Sequence, residues 1–267
     1  KGFTGARVLH FNLYGAQATL ARVYWMKGDL DSARIYADKV IRSNKFRFAS
    51  KTSLNTFMQK TVSMEETIWG LYNAEVYSDW LTQHVRRQGL GDLTTDFKSI
   101  YAYEGPTGKK DYRLDNWFGT YNRSGTPVDI LVKVMGNVSD TTSLTTSYNG
   151  GPYLGTSMIR IPEMYYIMSE ALLATGNAEG AMEYLDAVVD ARGMEKFADR
   201  TPLVDITLSD IMAERRKEFI GEGQWWFCLK RLNSPVKLSG ATGATIPGSD
   251  KIYVLPLPVE EEDYRPE

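Results

Sequence analysis

Cysteine is almost missing from this 267-residue chain. Cys228 stands alone, so no disulfide can form within the chain and no cysteine-rich zinc or iron–sulfur site can be built. Histidine is nearly as sparse, and His10 and His84 lie too far apart in sequence to read as a metal or nucleophile pair. Neither sign of charge is in excess: 31 Lys+Arg face 33 Asp+Glu, and a net charge of −2 speaks against a basic nucleic-acid-binding surface. No run approaches the roughly 18 apolar residues of a membrane-spanning helix. The chain opens at Lys1 without an initiator Met, and Asn12, Gln17 and Arg22 interrupt what a signal peptide would keep apolar, so it reads as a processed or truncated piece. Hydrophobic residues, by contrast, make up 43% against 24% charged, which suits a packed fold and excludes a disordered chain. Aromatic rings are plentiful, at 16 Tyr, 10 Phe and 6 Trp.

Residues 7–26 carry Val8, Leu9, Leu13, Ala16, Leu20, Ala21, Val23 and Tyr24 at the three-and-four spacing of an amphipathic helix. Gly28 then suits a helix C′ position and Asp29 an N-cap, predicting a second helix over 31–43 with Ala33, Ile35, Ala37, Val40 and Ile41 inward. The arrangement recurs: residues 169–188 align without gaps to 21–40, with Gly28/Gly176, Ala33/Ala181, Tyr36/Tyr184, Asp38/Asp186 and Val40/Val188 identical and Asp29/Asn177 both capping residues. This is the pattern of a tetratricopeptide-like helical hairpin, which cannot bury its apolar face alone and must stack on a neighbour. A third helical unit starts at Thr207, where Asp210 resembles the partner of a capping box. Leu208, Ile211, Met212, Phe219 and Ile220 supply its apolar face, Trp225 and Trp226 read as core, and Cys228 as a small buried hydrophobe within a helix. The segment from Tyr253 to Pro258 reads as extended, because each Pro disfavours helix before it.

Between the hairpins helical periodicity lapses. GPTGKK at 105–110, RSGTP at 123–127 and SDTTSLTTSYNGG at 139–151 are turn signals, and short strands are predicted at 66–72 and 129–135. A long irregular insertion in a helical scaffold is usually functional. Here it concentrates Tyr and Trp among polar side chains: Tyr77 and Trp80 beside Asp79, Gln83, His84 and Arg86, and Tyr112, Trp117 and Tyr121 alternating with Arg113, Asp115, Asn116 and Asn122. Rings that lie flat against sugar faces, with polar groups reaching the hydroxyls, are the chemistry of carbohydrate binding, and equally such rings can pack loops onto helices.

Three segments, in this order, resemble the SusD/RagB family: Arg160-Ile161-Pro162-Glu163 running to Glu170-Ala171; Glu214-Arg215-Arg216-Lys217-Glu218 followed by Gly221-Glu222-Gly223, Trp225-Trp226 and Arg231; and Leu255-Pro256-Leu257-Pro258 with Glu261 or Glu262. Asp111-x-Arg113 and Lys133 are similar to weaker family positions. The resemblance implies a mainly α fold, one SusD-like domain over 1–267 made of tetratricopeptide-like hairpins and a loop-rich insertion. Its parts are a first hairpin at 1–45, the aromatic insertion at 46–158, a second hairpin and charged helix at 159–232, and an extended end at 233–267. It also implies a non-catalytic nutrient-binding lipoprotein of the outer-membrane surface that passes glycan, or sometimes peptide, to a SusC-like TonB-dependent transporter and needs no cofactor. Family members are about twice as long and carry a lipidated Cys, so the chain reads as the C-terminal portion or a shortened member, anchored through lipid upstream of Lys1.

The candidate ligand contacts are therefore Tyr77, Trp80, Tyr112, Arg113, Trp117 and Tyr121. Arg160, Glu170, Glu214, Arg215, Glu218, Glu222 and Arg231 read instead as a structural charge network, since carboxylates neutralised by arginine are held ionised, the opposite of what a general acid needs. Two other functions compete: a tetratricopeptide-like scaffold for peptide or protein, and an all-α glycoside hydrolase. The latter needs two carboxylates across a cleft, and no acidic pair here has that context.

Overall fold

Asn12 sets the first helix. In the computed structural model its backbone is extended and its side-chain oxygen accepts from the amides of Tyr14 (2.9 Å) and Gly15 (3.1 Å), so helix α1 begins at Leu13 and runs to Lys27. The structure describes residues 7–54, 62–73, 97–101, 108–123, 125–133, 155–237 and 244–256. The expected helix over 7–26 is thus broken: Arg7–Leu9 form a separate 3-10 turn. Its expected apolar face is also corrected. Leu13, Leu20 and Val23 are 66%, 37% and 46% exposed, and the stripe that packs is Gly15, Ala18, Ala21 and Trp25. One large ring among small residues lets the next helix approach closely along the rest of the stripe.

That next helix, α2 (Leu30–Arg42), follows Gly28 at φ +80° and the N-cap Asp29, and buries Ala33, Ala37 and Val40, while Ile35 faces solvent. A short helical turn, α3 (Lys51–Leu54), leads to strand β1 (Thr67–Tyr72). Helices α4 (Phe97–Tyr101) and α5 (Tyr112–Trp117) follow, the second capped by Asp111. It runs straight into the antiparallel hairpin β2 (Phe118–Arg123) and β3 (Thr126–Leu131), in which Phe118 pairs with Leu131. The strand expected at 129–135 is this β3, placed earlier because Gly125, at φ +91°, turns the hairpin. β4 (Gly155–Arg160) pairs antiparallel with β1 and feeds α6 (Ile161–Ala174), whose Pro162 occupies the first turn.

Helix α6 is buried almost all round, from Ile161 to Ala171, because α2, α7 (Ala178–Ala191) and α8 (Leu208–Glu218) pack on it. The repeat read from sequence is the structural repeat: Gly176 takes φ +81°, and Asn177 caps α7 through the Gly180 amide at 2.9 Å, as Asp29 caps α2 through Ser32 at 3.0 Å. Only glycine adopts that left-handed turn cheaply. Tyr36 and its counterpart Tyr184 each meet a tyrosine, Tyr24 in the first hairpin (5.6 Å between ring centres) and, from a position that is not the counterpart of Tyr24, Tyr165 in the second (5.8 Å). Thr207 and Asp210 complete the capping box of α8, the shorter acid reaching the Thr207 amide at 2.7 Å.

Two compact units emerge, Lys1–Gly221 and Glu222–Glu267, and the sequence division after residue 232 falls inside the second. Within the second unit, α9 (Gln224–Arg231) buries Gln224 and Cys228, and the two-residue strands β5 (Val236–Lys237) and β6 (Thr245–Ile246) pair. The expected core role of Trp226 is corrected: it is 44% exposed, since on an eight-residue helix it projects away from the Gln224–Cys228 side, although its ring meets Tyr253 at 5.1 Å. Tyr253 is not extended either. It closes the helical turn α10 (Asp250–Tyr253), because Pro256 restrains the residue before it and not one three positions back.

Candidate functional site

Two groups of polar side chains stand out in the first unit, one buried and one open. The buried group centres on Glu218 at the end of α8. Its carboxylate accepts from Arg113 (3.2 Å), Arg160 (2.8 Å) and both Nε and a terminal nitrogen of Arg192 (2.9 and 2.8 Å). Its carbonyl accepts from Lys133 Nζ (2.7 Å) and Arg160 (2.9 Å). Arg160 and Arg192 also share Glu66 (2.7 and 2.8 Å), while Arg113 reaches Asp111 (2.8 Å) and Glu214 (2.7 Å), and Glu214 pairs with Lys217. Carboxylates of Glu66, Asp111, Glu214 and Glu218 are thereby matched by Arg113, Arg160, Arg192 and Lys217. A second limb joins Glu163 to Arg22 (2.5 Å) and Arg215 (3.2 Å), with Arg215 over the Trp25 ring at 4.1 Å and the Trp25 indole donating to Glu170 at 2.6 Å. Glu66, Glu163 and Arg192 are not legible as members, because their partners are supplied by distant segments, whereas Asp111 and Lys217 also pair locally, with Arg113 and Glu214. Glu222 and Arg231 lie in the second unit.

Burial opposes ionisation of Glu218, but Arg192 and Arg160 outweigh it and hold the carboxyl well below the ordinary range. Glu163 is likewise lowered, burial being overcome by Arg22 and then Arg215. A group held this firmly as an anion cannot donate a proton near neutrality. The consequence for stability has a definite sign. An unfolded Glu titrates at about 4.3, above either folded value, so between the two the unfolded chain binds more protons and acid favours unfolding. Stability contributed by these groups is full above about pH 5 and is lost as pH falls through their folded values. Asp186, pushed up by burial, works in the opposite direction, though it accepts from the amides of Phe197 (2.6 Å) and Ala198 (3.1 Å). Thermal melts from pH 7 to 3 should hold a plateau and then drop, and a Tm unchanged through pH 3 would refute this.

The open group surrounds Tyr112. Asp111 caps α5 through the Arg113 amide (3.0 Å), and the Tyr112 amide donates to Arg192 O (2.8 Å), tying the start of α5 to the end of α7. The Tyr112 ring rests on the core formed by Ala49, Leu54, Trp117 and Leu131. It also lies directly on Gly193: a Cβ there would sit 2.4 Å from the ring. Lys51 Nζ stands 4.7 Å from the ring centre. Around this half-buried ring opens a cavity of about 380 Å³, bordered by Lys51, Lys109, Lys110, Asp115 and Asp190. Such a volume lies within the roughly 300–1,000 Å³ usual for small-ligand sites. A second cavity, also about 380 Å³, lies in the groove between α2 and α7, among Arg34, Asp38, Lys39, Glu183 and Tyr184.

Of the rings and charges expected at a ligand site, Tyr112 borders a cavity. Arg113 and Trp117 are 0% exposed and present no face to a ligand, so both are corrected to scaffold: Arg113 is held by three carboxylates, and Trp117 is packed in the core with Lys133 Nζ 3.9 Å from its ring centre. Their alternation with polar residues looks like a surface pattern until the ion network that buries it is seen. Tyr77 and Trp80 lie outside the described residues, and Tyr121 is placed only by its backbone in β2. Lys51, Lys109 and Asp190 carry no sequence signal beyond the loop composition around 105–110. No group of His, Cys, Asp and Glu suited to a metal ion occurs among the described residues.

Residues 134–245 match the family model described as the SusD family. The fold matches a SusD superfamily protein from Bacteroides thetaiotaomicron VPI-5482 at 24% identity and TM-score 0.72, over 94% of this chain and 58% of that one. It also matches a SusD-like carbohydrate binding protein from Bacteroides vulgatus ATCC 8482 at 17% identity and TM-score 0.69, over 98% of this chain and 60% of that one. A protein solved with xylogluco-oligosaccharide is similar at 20% identity and TM-score 0.58, over 82% of this chain and 50% of that one. The chain thus spans about three fifths of the length of the first two. No curated protein matches it. With its mainly α hairpin architecture, the chain has the fold of SusD-like proteins, and its residues 134–245, which take in both the Arg160–Ala171 helix and the charged block at 214–218, are similar to the SusD family.

Proposed function

We propose that this chain is the ligand-binding scaffold of a non-catalytic nutrient-binding protein, one that captures oligosaccharide at the outer-membrane surface and hands it to a SusC-like TonB-dependent transporter. The observation that carries the reading is the Tyr112 cavity: an aromatic ring fixed on a rigid base, open to solvent, and bordered by both donors and acceptors. Sugars need this combination, an apolar face for the ring and charged or polar groups for the hydroxyls. The similarity of residues 134–245 to the SusD family supports it, as does the similar fold of a protein solved with xylogluco-oligosaccharide. A non-catalytic role agrees with Glu218 and Glu163, which arginines hold as anions. No helix among the described residues is long and apolar enough to cross a membrane, and attachment through a lipid anchor is part of this proposal.

Titration calorimetry against a panel of oligosaccharides, xyloglucan fragments included, tests the site. Tyr112→Ala is expected to weaken binding on the order of tenfold, the loss of about 1.4 kcal/mol. Unchanged affinity in a folded variant would remove Tyr112 from the site. The competing peptide-scaffold reading has its own observation, the mixed-charge groove between α2 and α7, where the Arg34 Nε is buried without a hydrogen-bond partner. Peptide binding abolished by Arg34→Ala, with no response to sugars, would favour it.

A further inference from the structure

The cations of the first unit fall into two kinds. In the interior Arg113, Arg160, Arg192 and Lys217 are each matched to carboxylates. At the Tyr112 cavity, Lys51, Lys109 and Lys110 form no ion pair among the described residues, and neither do Asp115 and Asp190. The opening therefore gathers three unneutralised ammonium groups against two carboxylates around one ring. Like charges held close raise one another's energy, and an anion placed among them relieves that repulsion. Lys51, which now covers the ring, is exposed and carries its charge on a flexible four-carbon stem, so it can turn toward an incoming anion and clear the ring for a sugar. Asp115 and Asp190 remain as hydroxyl acceptors, which bare phosphate or a simple dicarboxylate would not use and a saccharide would.

We propose that this cavity selects an anionic sugar unit, a saccharide ring bearing carboxylate or sulfate, stacked beside Tyr112 and paired with Lys51, Lys109 and Lys110. The inference rests on the glycan-binding reading above and narrows it to a ligand class.

The test compares three probes by calorimetry on the full 267-residue chain: an oligogalacturonide, a sulfated oligosaccharide and a neutral xyloglucan oligosaccharide. At least one anionic probe should bind roughly tenfold more tightly than the neutral one, as charge-assisted hydrogen bonds allow. The preference should shrink between about 50 mM and about 500 mM salt, where screening shortens from long to short range. It should vanish in the Lys109→Ala/Lys110→Ala double variant, whose side chains are not buried in the core. The carboxylate and sulfate arms identify which anion is preferred, and equal affinity for the two also supports the proposal. Neutral sugar bound as tightly as both anions, with no effect of the lysine changes, overturns it while leaving glycan binding intact. A folded chain that binds none of the three overturns both.

Discussion

Glu218→Gln is expected to destabilise the first unit by about 3–5 kcal/mol, the usual cost of stranding a buried charge, and to lower Tm by on the order of 10 °C. The side chain keeps its shape, so no cavity opens; what changes is the charge balance. Arg113, Arg160, Arg192 and Lys217 would then face only Glu66, Asp111 and Glu214, all in the interior. An amide can replace neither the charge nor the four hydrogen bonds the carboxylate accepts from three arginines. Urea unfolding of the variant beside the parent measures the effect, and a loss below about 1 kcal/mol would place the pair among solvent-screened surface bridges instead. The acid-induced drop predicted for the parent should shrink in this variant, because its principal proton acceptor has gone.

Gly193→Ala should cost about 3 kcal/mol, from two sources that a second substitution separates. Gly193 has φ +81°, where an added Cβ strains the backbone by about 1–2 kcal/mol. The same Cβ would sit 2.4 Å from the Tyr112 ring, an overlap whose relief costs about 1–3 kcal/mol. The ring has Gly193 beneath it and the cluster of Ala49, Leu54, Trp117 and Leu131 beside it, so it can yield only toward the cavity. Sugar affinity should fall along with stability. In a Tyr112→Ala background the steric part disappears, and Gly193→Ala should then cost only the backbone strain. Equal costs in the two backgrounds would show that the ring is not clamped by the glycine.

How far the sequence foretold these features follows the range of the interactions behind them. Turn and cap chemistry is local, so Gly28 with Asp29, Gly176 with Asn177, and Thr207 with Asp210 were readable within a few residues of chain. The hairpins they bound were readable too. Burial is not local. Leu13, Leu20 and Val23 make a better apolar stripe on paper than Gly15, Ala18, Ala21 and Trp25, yet the small residues won because they let α2 approach. Arg113 and Trp117 looked like surface contacts because nothing near them announces Glu218, over a hundred residues away. Glu66 and Arg192 carry no motif at all. At the cavity, Tyr112 was legible as an aromatic among polar residues, whereas Lys51 and Asp190 reach it from α3 and α7, and only the fold brings them together.

The ion network also governs the order in which the chain can fold. Some of its bonds are local, but those that tie distant elements together span 94, 105 and 126 residues and must close long loops before they contribute. A growing chain that has not yet emitted Glu218 holds Arg113, Arg160 and Arg192 with their shared carboxylate missing, and they stay hydrated at less cost than they could be buried. The two hairpins can form early from contacts within about thirty residues. The seam that joins β1, β4, α5, α7 and α8 must wait for the last turn of α8. A single glutamate late in the sequence thus acts as a checkpoint, allowing the interior to dry only when nearly the whole unit has been made.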